Sequence, residues 1–283
     1  MTSNVREVLI SATHRLGDRV DAELLLAYAL SKSRSWLIAH ADDALSPEHV
    51  SAYKLLVEQR EAGEPIAYIT GRRGFWTLDL QVTSDTLIPR PETELLVERA
   101  LQHVPADRAC DVLDLGTGSG AIALAIARER PRARVVATDV NADTLAVAQH
   151  NARHHHVHNI TFMLGDWFAP LGERRFDVIV SNPPYIESGD PHLQQGDLRF
   201  EPMRALASGI DGLDDIRRIV AGAADHLVAG GWLLFEHGWN QGEAVRALLR
   251  AADFVELSTA HDLEQRDRVS AGQKPVSKEC DSA

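Results

Sequence analysis

The chain has 283 residues, 45% of them hydrophobic and 25% charged, as in an ordinary globular enzyme with room for one or two domains around a sizeable core. No apolar run approaches the ~20 residues that cross a bilayer, Met1 to Arg6 lacks the pattern of a secretion signal, and Cys110 and Cys280 have neither disulfide-framework nor zinc-site spacing, so the expected location is the cytoplasm and redox chemistry is not expected. Lys and Arg number 29 against 41 Asp and Glu, a net charge of −12, which counts against bulk nucleic acid as partner because duplex binders gain affinity by neutralising phosphates.

The first ~70 residues read as helical, with apolar clusters such as Leu24-Leu25-Leu26. One helix opens with Ser46 as N-cap and Pro47 in the first turn, runs Val50, Tyr53 and Val57 along one face, and closes at Gly63-Glu64-Pro65. From Trp76 the period changes to two, with Trp76, Leu78, Leu80 and Val82 alternating with polar residues, and a short β-hairpin linker is expected there.

Beyond Pro89-Arg90-Pro91 strands and helices alternate. Strands are predicted at 111–115, 135–138, 160–164, 176–180 and 232–235. Helices are predicted at about 121–130, after Asn141, and at about 216–227, the last followed by a turn at Gly230-Gly231. Such alternation predicts an α/β domain, a parallel sheet with helices on both faces. The resulting domain plan is 1–72 helical, 73–88 hairpin linker, 89–272 α/β domain and 273–283 a polar, disordered tail.

Asp111 to Gly120 is a buried strand running into a glycine-rich turn, followed at once by an apolar helix. Without Cβ atoms the backbone of Gly116, Gly118 and Gly120, with Thr117 and Ser119 between them, can approach a ligand closely. Asp139 ends the second strand about twenty residues on, where a carboxylate commonly holds a ribose diol. Together they place a nucleoside at the switch point of the sheet. They leave its identity open, since Gly116, Gly118 and Ala121 also satisfy the dinucleotide fingerprint of a dehydrogenase.

Ser181-Asn182-Pro183-Pro184-Tyr185 narrows the choice, because it directly follows the strand 176–180 and so projects from the carboxyl edge beside that crevice. Two prolines remove two donors and stiffen the loop, leaving free carbonyls, and Asn182 adds a side-chain acceptor. A planar NH2 group could give one hydrogen bond to the Asn182 side-chain oxygen and one to the Pro183 carbonyl. Both bonds raise electron density on a weakly nucleophilic amide nitrogen as positive charge develops, and orientation supplies much of the rest. Tyr185 would wall the planar group with its ring. The pattern points to methyl transfer to nitrogen from S-adenosylmethionine, with Asn182, Pro183 and Tyr185 catalytic and Asn182 to Tyr185 binding the substrate.

With these segments in view, the chain resembles the bacterial release factor glutamine methyltransferases, the HemK or PrmC family. The likeness runs over nearly the whole length: Thr70-Gly71 with Phe75-Trp76, Leu87 to Glu94, Leu115 to Gly120, Gly165 to Phe168, Ser181 to Tyr185, Asp190 to Asp197, Arg199 to Pro202, and Glu236-His237-Gly238. The resemblance implies a Rossmann-like, seven-stranded class I methyltransferase domain with an N-terminal helical domain that helps recognise a protein. The implied substrate is the glutamine of the Gly-Gly-Gln motif in class-1 peptide chain release factors, converted to N5-methylglutamine. By the same resemblance Gly116 to Gly120 and Asp139 hold S-adenosylmethionine, Trp167 flanks its adenine, and Asn182 touches cofactor and substrate. The chain departs from the family beyond Val269, where the family normally stops within a few residues.

Three other readings compete: an amino-methyltransferase for adenine or cytosine in nucleic acid, a dehydrogenase, and a non-catalytic adaptor. The acidic total and the lack of a basic reading domain argue against the first, and the intact Asn182 to Tyr185 loop argues against the last. His154 to His158 is read as a solvated helix end, since adjacent imidazoles lack converging partners, and no metal is assigned. Arg90, Glu92 and Glu94 are read as favouring a helix N-terminus or lying near the cofactor. Asp197, Arg199 and Glu201 are expected to form an ion-pair network shaping the catalytic loop, and Glu236-His237-Gly238 to meet ligand or close a turn.

Overall fold

The computed structural model describes residues 3–276. The chain divides into two compact units, one of Met1–Arg72 with Gln194–Phe200 and the other of Arg73–Leu193 with Glu201–Ala283.

Among its described residues the first unit contains five α-helices: α1 (Val5–Leu16), α2 (Arg19–Leu30), α3 (Arg34–Ala39), α4 (Pro47–Glu61) and α5 (Ile66–Thr70). Local sequence sets their ends. Asn4 and Glu7 form a reciprocal capping box at α1, Asp18 and Ser33 cap α2 and α3, and Ser46 caps α4 with Pro47 in its first turn. Val5, Leu25, Leu26, Leu37 and Val57 fill the centre, each worth roughly 1.5–3 kcal/mol of burial. Tyr53 donates its hydroxyl to the Ala22 carbonyl at 2.9 Å, which satisfies the one polar atom it brings inside.

Residues 194–200 belong to this unit, which corrects the expectation of a network among Asp197, Arg199 and Glu201. Asp197 accepts from Arg60 at 2.9 Å and Arg199 donates to the Ala62 carbonyl at 2.9 Å, whereas Glu201 lies in the other unit and accepts from Ile88 N and Arg90. The three residues serve different partners.

Strands β1 (Arg72–Phe75) and β2 (Leu78–Gln81) form a separate two-stranded sheet, in the second unit from Arg73 onward. Trp76, expected as a strand residue, is in the turn with φ +56°. The Glu94 carboxylate accepts from its backbone N–H at 2.7 Å and that of Glu129 from its indole N–H at 2.9 Å, so side-chain anchors hold a conformation that alternation cannot reveal.

The main sheet has the order β5-β4-β3-β6-β7-β9-β8, with β3 (Cys110–Leu115), β4 (Ala133–Asp139), β5 (Ile160–Leu164), β6 (Phe176–Ser181), β7 (Leu227–Glu236), β8 (Val255–His261) and β9 (Asp267–Gln273). Strands β3 to β7 pair in parallel, while β9 runs antiparallel to both β7 and β8. The expected parallel sheet is therefore mixed. On one face, Val112, Val135, Val178 and Leu234 pack against α6 (Glu94–Leu101) and α7 (Ala121–Glu129). On the other, Leu113, Ile179, Leu233 and Phe235 pack against α9 (Asp214–His226) and α10 (Gly242–Ala251). Neighbouring residues of each strand serve opposite faces, which is why the central strands read as continuous apolar runs. Helix α8 (Ala142–His154) completes the set and is capped by Asn141.

Gly230-Gly231 is not the expected turn between a helix and the strand 232–235. β7 runs through it with a register shift against β6, Phe176 facing Leu227 and Val178 facing Trp232, and Gly230 takes φ +78°, a bulge geometry that suits glycine. The backbone groups there are satisfied by Lys274: Gly230 N donates to its carbonyl at 3.0 Å and its N–H donates to the Gly231 carbonyl at 2.8 Å. The expected tail from 273 is corrected accordingly. Gln273 ends β9, and the Lys274 ammonium donates to the Ala224 and Leu227 carbonyls at 2.6 and 2.8 Å. Residues 277–283 of the expected tail lie outside the described residues.

Candidate active site

The sheet order places β3 beside β6 at the point where successive strands change direction of addition, and open α/β sheets bind ligands at the carboxyl edge there. The two strands end level, Leu115 facing Ser181, and the Ser181 hydroxyl donates to the Leu115 carbonyl at 2.8 Å. The glycine turn after β3 and the Asn-Pro-Pro-Tyr loop after β6 are thereby locked side by side. Between them lies a cavity of about 360 Å³ whose wall includes Gly116, Thr117, Gly118, Asp139, Trp167 and Asn182.

Gly116 takes φ +70°, and a Cβ there would stand 3.2 Å from the Trp167 ring; any larger residue would push the ring or fill the cavity. Trp167 itself has φ +46°. Thr117 N donates to the Thr138 carbonyl at 2.9 Å, and its hydroxyl to Asp114 Oδ2 at 2.7 Å. Asp139 Oδ2 accepts from Gly118 N at 3.0 Å and Oδ1 from Asn141 N at 3.0 Å. Burial raises its pKa while those two N–H donors oppose the rise. Each Asp139 oxygen keeps acceptor capacity for a ligand hydroxyl.

Ser119 and Pro184 also line the cavity. Gly120, Pro183 and Tyr185 are not among its lining residues. Gly120 is the N-cap of α7, and Tyr185 packs beside the α9 side of the core, its hydroxyl donating to Glu236 Oε1 at 3.0 Å. That bond anchors Tyr185 behind the loop. Asn182 is different. Its Nδ2 donates to Thr93 Oγ1 at 3.2 Å, while its buried Oδ1 has no partner. A buried acceptor left open in this way costs free energy unless something donates to it.

Arg90 pairs with Glu201, and Glu94 accepts from the Trp76 backbone N–H. Between them Thr93, which sequence reasoning passed over, lines the cavity and donates to Glu236 Oε2 at 2.7 Å. His237 closes the turn after β7, its Nε2 at 2.8 Å from the Ser270 hydroxyl. Two further buried polar residues were not anticipated. Asp114, pushed up to about 7 by desolvation, fixes Thr117. Asn151 donates to the Ser119 and Gln81 carbonyls at 2.9 and 3.0 Å. The signal for Asp114 was present: it is a carboxylate inside an apolar strand. Among the described residues no group of three or more His, Cys, Asp or Glu could hold a metal ion, and no helix is long and apolar enough to cross a membrane.

S-adenosylmethionine suits these residues. The backbone of the glycine turn is open to a ligand, Asp139 offers acceptors for hydroxyls, and Asn182 presents an unused buried acceptor.

Two families match parts of the chain: Methyltransferase small domain over residues 91–197 and PrmC N-terminal domain over residues 7–71. A methyltransferase structure from Pyrococcus furiosus superposes with a TM-score of 0.54 at 17% identity, covering 80% of this chain and 100% of that one, a likeness of fold. The release factor glutamine methyltransferase of Escherichia coli is 45% identical over 269 residues, 95% of this chain and 97% of that protein. That of Xylella fastidiosa is 56% identical over 268 residues, again 95% and 97%. With a methyltransferase sheet, a cavity at its switch point and identity of this extent along both units, the chain belongs to the release factor glutamine methyltransferase family.

Proposed function

We propose that the protein transfers a methyl group from S-adenosylmethionine to the side-chain amide nitrogen of the glutamine in the Gly-Gly-Gln motif of class-1 peptide chain release factors. The observation that carries this is Asn182 Oδ1, a buried acceptor with no partner at the wall of a cavity shared with the glycine turn and Asp139. Gly116 to Gly118, Ser119 and Asp139 hold the nucleoside portion of the cofactor, and Trp167 flanks its base. Bound there, S-adenosylmethionine supplies an electrophilic methyl on a sulfonium centre.

The residues of the loop do the rest. Asn182 Oδ1 accepts one hydrogen of the glutamine NH2 and the Pro183 carbonyl the other, aiming the nitrogen lone pair at the methyl and stabilising the positive charge that develops on it. Pro184 bounds the pocket on the cavity side. The nitrogen needs no base before transfer, and its surplus proton leaves afterwards. Release factors act in the cytoplasm, and the reading places the enzyme there with them.

The test is incubation with methyl-labelled S-adenosylmethionine and a purified release factor, beside the same factor with its Gly-Gly-Gln glutamine changed and an oligonucleotide. Label on the unaltered factor alone is expected. Label on the oligonucleotide, or equally on both factors, overturns the glutamine assignment.

A further inference from the structure

Behind the candidate catalytic loop lies a continuous chain of hydrogen bonds. Glu236, at the end of β7 and 1% exposed, accepts the Tyr185 hydroxyl on Oε1 at 3.0 Å and the Thr93 hydroxyl on Oε2 at 2.7 Å. Thr93 in turn faces Asn182 Nδ2 at 3.2 Å. A hydroxyl has one proton to give. Once Thr93 commits it to the carboxylate, its oxygen can only accept, so Asn182 must turn its NH2 toward Thr93 and its carbonyl the other way. An Asn side chain is nearly symmetric in shape, and its own packing does little to choose between the two orientations. The chain of donors therefore makes the choice.

We infer that Glu236 is a positioning residue which, acting through Thr93, sets the direction in which Asn182 presents its side-chain carbonyl, and which through Tyr185 tethers the other end of the same loop. This rests on the methyl-transfer reading, in which that carbonyl receives the substrate NH2. An ionised carboxylate accepts from both hydroxyls and donates to neither. Burial works against its ionisation, while the two hydroxyls and the charge of Arg268 favour it. Glutamine in its place offers an NH2 as well as an oxygen. With that NH2 toward Thr93, the threonine proton points at Asn182 and favours the flipped amide, which sets donor against donor in the pocket.

The full-length protein would be assayed for methyl transfer to a release factor, with cofactor affinity measured separately by calorimetry. Glu236→Gln and Thr93→Val are each expected to lower kcat by at least about tenfold, the loss of one hydrogen bond to a charged or reacting group. Cofactor Kd and the KM for release factor should stay within about threefold, because the lost contacts serve orientation rather than ground-state binding. Thr93→Ser should recover most of what Thr93→Val loses. The double variant should be no more than about twofold slower than the slower single one, since the two residues act in series. Penalties that multiply, a kcat for Glu236→Gln within about twofold of wild type, or cofactor affinity lost in step with kcat would overturn the inference.

A second measurement works without turnover. The side-chain NH2 resonances of Asn182 in the cofactor-free protein, assigned by their loss in Asn182→Asp, should shift in both Glu236→Gln and Thr93→Val. Unshifted resonances overturn the inference, and they do so even if Glu236→Gln fails to fold, because the threonine variants are read alone. A wild-type protein that labels no release factor would instead overturn the proposed function and leave the resonances to decide the orientation.

Discussion

The two units bury different chemistry. In the helical unit the interior is Val5, Leu25, Leu26, Leu37 and Val57, with the Tyr53 hydroxyl quietly satisfied by a carbonyl. In the sheet unit the carboxyl edge of β3, β4, β6 and β7 buries Asp114, Thr138, Ser181 and Glu236, each fully or almost fully removed from solvent. An apolar centre fixes a shape through area and packing, and tolerates hydrophobic side chains of about the right volume. A polar centre fixes directions, because each donor must find its acceptor, and a half-satisfied network is worse than none. Among the described residues three buried side-chain atoms are left open, Asn182 Oδ1, Asp114 Oδ1 and Thr138 Oγ1, all in the second kind of interior, and of the three residues Asn182 alone lines the cavity, where a ligand has room to finish the bonding.

The sharpest way to break the comparison is Asn182→Ala. It removes the acceptor while touching little packing, so kcat should fall by about 100- to 1000-fold, by analogy with loss of a single preorganised hydrogen-bonding group at a reacting centre. Cofactor affinity measured by calorimetry should weaken far less, and equal loss of both would move Asn182 into cofactor binding.

Next comes the pH dependence of Asp114. Its folded pKa of about 7 lies above the ordinary value of 3.8, so between those values the folded state holds more protons than the unfolded one. The contribution is fully present below the lower value and lost as pH rises through about 7, a change of up to about 4 kcal/mol. Asp114→Asn cannot ionise and should flatten that part of the slope in denaturant titrations from pH 4 to 8. An unchanged slope would assign the effect to the other raised carboxyls, Asp139 and Glu236.

Leu25→Ala, at a site with 0% exposure in the helical unit, should cost about 3 kcal/mol of that unit's stability through lost burial and a cavity. Cofactor affinity should not change, since the cavity proposed to hold the cofactor is lined by the other unit. Ser181→Ala is the mildest, about 1 kcal/mol for the loss of one buried hydrogen bond. It should loosen the tie between the two loops, seen as a modest rise in cofactor Kd.

Much of the architecture was legible because it is local. The caps at Asn141 and Ser46, the strand 160–164 and the glycine turn are written in neighbouring residues, and periodicity reads neighbours. The misreadings share one cause. Trp76 left its strand because Glu94 and Glu129, remote in sequence, hold it in a turn. Gly230-Gly231 continued a strand because Lys274 supplied the pairing. Asp197, Arg199 and Glu201 parted company because their partners lie on either side of a unit boundary.

The sequence by itself determined the α/β alternation, the place of the glycine turn and the loop Asn182 to Tyr185, since each depends on residue types at short, fixed spacing. The tertiary structure alone decided that Thr93 lines the cavity, that Tyr185 faces Glu236 rather than the cavity, and that the Asn182 carbonyl is the atom left open. Hydrogen bonds between residues 51 to 143 positions apart decided these points, and only the folded sheet brings such partners within reach.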